Sequence, residues 1–133
     1  MTGLAYLDAS AVAKLIVAER ETPALERDLA QRDALISSRL VLTEVTRAVQ
    51  RAGGRRLLQT MDEVMDALVL VDVTKDVLAR AATLLPRELR TLDAIHLATA
   101  LSLDLPGLDV ITYDQRRAEA SVLAGLRVVQ PGH

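Results

Sequence analysis

The chain has no cysteine, and that absence excludes both a disulfide-stapled scaffold and a fold built around a thiolate-bound zinc ion. A reducing compartment, the cytoplasm, is the expected location. No apolar run approaches the roughly 20 residues needed to span a bilayer, and no basic segment followed by an apolar stretch marks a secretion signal. No membrane association is expected. A basic excess is missing too. With 16 Lys and Arg against 18 Asp and Glu the formal net charge is −2, so composition carries no nucleic-acid signature and any such function must come from a local site. Lys14 and Lys75 are the only lysines; the other basic residues are Arg, whose planar fork suits bidentate phosphate contacts. Repeats, low-complexity runs and linkers are also lacking. The 133 residues are enough for one core and too few for two ordinary ones, so a single domain over 1–133 is expected.

What is present alternates between two periods. Leu4 to Asp8, Ala34 to Ser37, Val69 to Val73, Val110 to Tyr113 and Arg127 to Val129 read as short buried strands. Between them the apolar spacing is helical. Leu40, Val41, Val45, Ala48, Val49 and Ala52 form one broad face that Gly53 and Gly54 break; Leu57, Met61, Val64 and Leu68 form a second stripe. Val77, Ala81 and Leu84 form a third that Pro86 ends, and Leu92, Ile95, Ala98 and Leu101 a fourth, followed by a turn at Pro106 and Gly107. Strands alternating with helices, without hairpin signals, predict an α/β domain. Its central sheet is mainly parallel, of about five strands, covered by helices on both faces in three α/β/α layers.

Ligands of such sheets bind at the carboxyl ends of the strands, and acids stand there. Asp8 closes the first strand in LDASA and Asp114 the fourth in ITYDQ; Asp93 lies in the first turn of the helix beginning near Thr91. Asp8 and Asp114 have a second reading as helix N-caps, and Asp93 as a complement to the helix dipole. Glu44 differs, because it sits inside a helix among Leu40, Val41, Val45 and Ala48. A carboxylate facing the interior is costly unless paired or bound to a cation, and Arg47 and Arg90 are its candidate ion-pair partners. Four carboxylates at one sheet edge repel unless a cation joins them. Oxygen-only ligation favours a hard ion, Mg²⁺ or Mn²⁺, and such an ion suits phosphodiester hydrolysis. Ser10 has its hydroxyl toward the same pocket, to orient a carboxylate, water or phosphate or to cap the helix, and Thr112 is similarly placed before Asp114.

Taken together, LDASAVAKL, SSRLVLTEVTRA, LRTLDAIHLATAL and ITYDQRRAEASVLAGLRVVQPG resemble the PIN-domain nucleases, and among them the VapC toxins of bacterial toxin–antitoxin pairs. The resemblance covers essentially the whole chain. It implies that Asp8, Glu44, Asp93 and Asp114 are the acidic quartet holding one or two Mg²⁺ or Mn²⁺ ions, with Ser10 as a supporting hydroxyl. It also implies RNA cleavage, a homodimer, and a VapB-type antitoxin whose tail covers the acidic pocket.

Thr112, Arg90 and Arg116 are candidate substrate-binding residues, and Arg87 and Arg117 share the alternatives of steering RNA or forming solvated faces and ion pairs. His96, three residues after Asp93, reads as a helix-surface or packing residue. Two other functions compete: a phosphatase or phospho-acceptor domain with Asp8 as nucleophile, and a non-catalytic module whose acidic pocket receives a basic side chain from a partner.

Overall fold

Short apolar strands that cannot bury both faces alone collect into one sheet here. A computed structural model describes residues 3–133, so the first two positions of the expected 1–133 domain lie outside the described residues. The strands are β1 (Leu4–Leu7), β2 (Ala34–Ser38), β3 (Val69–Val71), β4 (Asp109–Ile111) and β5 (Arg127–Val129), all parallel, in the order β3-β2-β1-β4-β5. The helices are α1 (Ala9–Ile16), α2 (Thr22–Leu29), α3 (Leu40–Ala52), α4 (Arg55–Asp66), α5 (Lys75–Ala81), α6 (Thr91–Leu103) and α7 (Gln115–Leu123). The mainly parallel α/β sheet read from the sequence is present, with strand ends differing by one or two residues.

The alternation of side chains along a strand divides the core into two layers. Ala5 and Leu7 of β1 and Ile111 of β4 face α1, α2 and α3, where Val12, Leu25, Val41, Val45 and Val49 are buried. Tyr6, Ile36 and Val110 face the other way, with Ala100 of α6. The register pairs Tyr6 with both Ile36 and Val110, which places the three on one face. Burying each α3 valine contributes about 1.5–3 kcal/mol. Gly53 and Gly54, at φ 83° and 100°, end α3 in backbone that a side chain would strain. The stripe containing Met61 and Met65 on α4 packs half-buried against the first core layer. Helix α6 departs from expectation: residues Asp93 to Ala100 are all buried while Leu92 is 46% exposed. It runs through the interior, so the stripe is only part of its packing surface: Ile95 and Ala98 are buried in a core cluster with Val77, whereas Leu92 is exposed and Leu101 half-buried.

The order of strands reverses direction between β1 and β4. This is the switch point at which the loops leaving neighbouring strands diverge and open a crevice beyond their carboxyl ends. Asp8 and Asp114 follow the two strands on either side of it.

Candidate active site

Asp8 leaves β1 with its side chain fully buried. Its Oδ1 accepts the Ala11 amide at 3.0 Å, capping α1, and the Ser10 hydroxyl at 2.6 Å. Its Oδ2 accepts the Thr112 hydroxyl and Nη1 of Arg117. A carboxylate withdrawn from water is tolerable only with such donors. Ser10 also accepts the Tyr113 amide at 2.9 Å, and Thr112 accepts the Asp114 amide at 3.1 Å. The two hydroxyls thereby tie the ends of β1 and β4 together across the switch point.

Asp114 caps α7 by accepting the Arg117 amide at 3.1 Å. From the first turn of that helix the Arg117 side chain turns inward, 8% exposed as a residue. Its Nε donates to Asp93 Oδ1 at 2.9 Å, its Nη2 donates to the same oxygen, and its Nη1 reaches Asp8. Burial alone disfavours the guanidinium charge, but the charge of Asp8 and the hydrogen bond and charge of Asp93 outweigh it and raise the Arg117 pKa. Asp93, 6% exposed in the first turn of α6, is thus joined to Asp8 through one cation. Both Arg117 contacts fall on Oδ1, and among the described residues Oδ2 of Asp93 has no hydrogen bond.

Glu44 belongs to a second cluster. Its Oε1 lies 2.7 Å from Nε2 of His96, and Nδ1 of His96 lies 2.8 Å from the Tyr6 hydroxyl. A neutral imidazole with its proton on Nε2 satisfies the whole chain: Tyr6 donates to Nδ1 and Nε2–H donates to Glu44. Burial, with the charge of Asp8 adding to it, raises the Tyr6 pKa, which keeps the phenol protonated as the donor. The Tyr6 ring meets the imidazole edge-on, with centroids 6.0 Å apart.

The structure corrects several expectations. Glu44 pairs with His96, not with Arg47 or Arg90, because α6 runs through the interior and brings its imidazole to α3. His96 is not a helix-surface residue, being 1% exposed and bonded at both nitrogens. Arg117 takes the ion-pair alternative, joined to Asp8 and Asp93, and is neither solvated nor open to RNA. Thr112 is fully buried with its hydroxyl engaged by Asp8 and the Asp114 amide, which leaves it unsuited to touching substrate. Arg90 and Arg116 are exposed and line an open hollow of about 400 Å³ whose wall includes Asp93. Arg87 lines a different groove, between α5 and the start of α6. Tyr6 was missed entirely, since a tyrosine in an apolar strand carries no sequence mark beyond packing.

The acids do not form one ready-made metal cage. Among the described residues no group of three or more acidic or histidine side chains is disposed to hold a metal ion; Asp8 and Asp93 share Arg117 and Glu44 is engaged by His96. The donor chemistry nevertheless fits a hard divalent ion. Asp8, Asp93 and Asp114 offer only oxygen, Asp93 has an oxygen without a donor among the described residues, and the one charge of Arg117 leaves the Asp8–Asp93 pair net negative. A phospho-acceptor reading fits less well: Lys14 is held by Glu19 and Glu21 at 3.1 and 3.0 Å, and Lys75 is exposed at the start of α5.

Comparison with known proteins agrees with this fold. Ribonuclease VapC46 of Mycobacterium tuberculosis is 45% identical over 132 residues, covering 95% of this chain and 96% of that protein. Among solved structures, VapC20 of M. tuberculosis, described as a sarcin-ricin loop cleaving toxin, superposes with a TM-score of 0.73 at 21% identity, over 96% of this chain and 99% of that one. A chain of a toxin-antitoxin complex from Klebsiella pneumoniae does so with a TM-score of 0.70 at 22% identity, over 96% and 97%. The model of the PIN domain family matches residues 5–123, and the chain belongs to that family.

Proposed function

We propose that this chain is a divalent-metal-dependent endoribonuclease and acts as the VapC-type toxin of a toxin–antitoxin pair. The observation that carries the reading is the pair of buried acids, Asp8 and Asp93, joined at the switch point of a PIN-domain sheet, with Asp114 following the strand on its other side. The 45% identity to a protein named as a ribonuclease supports RNA as the substrate. Asp8, Asp93 and Asp114 would hold Mg²⁺ or Mn²⁺, with Glu44, oriented by His96, as the fourth acid of the set. Held by these residues, a divalent ion would supply an activated water and charge neutralisation for in-line phosphodiester hydrolysis.

The chain's own groups do the positioning. Ser10 and Thr112 fix the plane of the Asp8 carboxylate, and His96 with Tyr6 fixes Glu44. Arg90 and Arg116, on the hollow beside Asp93, meet the phosphates of the RNA backbone. One domain spans 1–133 and works in the cytoplasm as a homodimer. A VapB-type antitoxin restrains it, a reading supported by the toxin-antitoxin complex among the structural neighbours.

Asp8→Asn and Asp93→Asn test the site. Each is expected to lower Mg²⁺- or Mn²⁺-dependent RNA cleavage by about a hundredfold or more while circular dichroism stays native. The products should carry 5′-phosphate and 3′-hydroxyl ends. Full activity in either variant, or a 2′,3′-cyclic phosphate product, refutes the assignment.

A further inference from the structure

The acid pair that the proposed function assigns to a metal is here held by a cation from the same chain. Arg117 is buried, contacts Asp8 with one arm of its guanidinium and Asp93 with the other, and is drawn inward from the first turn of α7. An arginine does not release its partners by losing a proton, since its pKa lies far above any working pH. It releases them only by moving. A monocation facing two carboxylates leaves a net negative charge that a divalent ion would neutralise, yet the ion and the guanidinium seek the same oxygen of Asp8, Oδ2: Oδ1 is taken by the Ala11 amide and the Ser10 hydroxyl, whereas without Arg117 Oδ2 would keep the Thr112 hydroxyl as its one donor. Asp93 also walls an open hollow lined by Glu88 and Glu119 together with Arg90 and Arg116, so an ion can approach the acid pair from solvent on that side.

We propose that Arg117 is a gate on the metal site: in the metal-free chain it is the counter-ion that holds Asp8 and Asp93 together, and a divalent ion binds by displacing it. The inference rests on the reading of Asp8 and Asp93 as metal ligands. It makes the affinity for the ion lower than the acids alone would give, in proportion to the fraction of molecules in which Arg117 has swung away.

Two measurements test it. In Arg117→Gln, calorimetric titration with Mn²⁺ should give binding about tenfold or more tighter than in the unsubstituted chain, the factor expected if Arg117 is out of the pair about a tenth of the time or less. The metal-free variant should melt at a lower temperature and recover on adding Mn²⁺. In the unsubstituted chain, the Nε–H resonance of Arg117, identified by its absence in the variant, should be protected from exchange without metal and lose that protection as Mg²⁺ saturates. This second measurement decides even if Arg117→Gln fails to fold. Weaker or equal Mn²⁺ affinity in the variant, or an unchanged Arg117 resonance with Mg²⁺ bound, overturns the gate while leaving the metal site standing. Absence of divalent-ion binding in both proteins overturns the metal site and the gate with it.

Discussion

Replacing Tyr6 with Phe isolates one hydrogen bond of the network behind Glu44. The ring stays, so no cavity forms and the packing against Ile36 and Val110 is kept. What is lost is the donor 2.8 Å from Nδ1 of His96. That nitrogen is buried with its residue 1% exposed and cannot turn to water. In the neutral ring, moving the proton to it would leave the Nε2 lone pair facing the Glu44 carboxylate. The cost is that of an orphaned buried acceptor, about 1–3 kcal/mol. For a chain of this size each kcal/mol lowers the melting temperature by roughly 3–5 °C, and with a urea m-value of about 1–3 kcal/mol/M the midpoint moves by several tenths of a molar or more. Urea denaturation followed by circular dichroism measures this, and an unchanged m-value assigns the change to stability. A cycle with His96→Leu should give a coupling of about 0.5 kcal/mol or more. Tyr6→Phe as stable as the unsubstituted chain, with no coupling, refutes the network. RNA cleavage should fall in Tyr6→Phe under conditions where the protein remains folded, because Glu44 is then less firmly oriented.

Asp114 combines a helix cap with a proposed metal ligand, and two substitutions separate the roles. Asp114→Asn keeps an acceptor for the Arg117 amide and should retain stability while losing cleavage, whereas Asp114→Ala should also cost about 1 kcal/mol; equal melting temperatures for the two would contradict the cap. The two tyrosines, in a chain without tryptophan, make a clean alkaline titration by phenolate absorbance. Burial, aided by the charge of Glu21, pushes Tyr113 up to about 12, and Tyr6 lies higher still. The unfolded chain ionises near its ordinary value of about 10 and so releases protons first. Stability should therefore be unaffected by these groups below pH 10 and fall between about pH 10 and 12. A midpoint near 10 for both phenols in the folded protein contradicts their burial.

Part of the site was legible because it is local. Asp8 and Asp114 stand directly after strands and cap the helices that follow, and Asp93 lies in the first turn of α6, so position along the chain located three acids without a structure. Glu44 stood out for interrupting an apolar face, and that reasoning led to a buried partner. Charge points to Arg47 and Arg90 as that partner, whereas His96 reads in the sequence as a surface or packing residue. Helix α6 explains that miss. A helix buried on nearly every side has no polar face for periodicity to reveal, so nothing in the sequence sets its imidazole apart from packing.

By itself the sequence determined the alternation of strands and helices, the end of the sheet where the acids gather and the oxygen-only character of the donors. These depend on side-chain period and on neighbours a few residues apart. Only the tertiary structure decided how the acids are shared out. Arg117 meets Asp8 across 109 residues, Tyr6 meets His96 across 90 and Glu44 meets His96 across 52. Such pairings follow from strand order and from the path of α6 through the core, and no local pattern encodes them. The chain's acids were readable from its sequence; that its own arginine holds two of them was not.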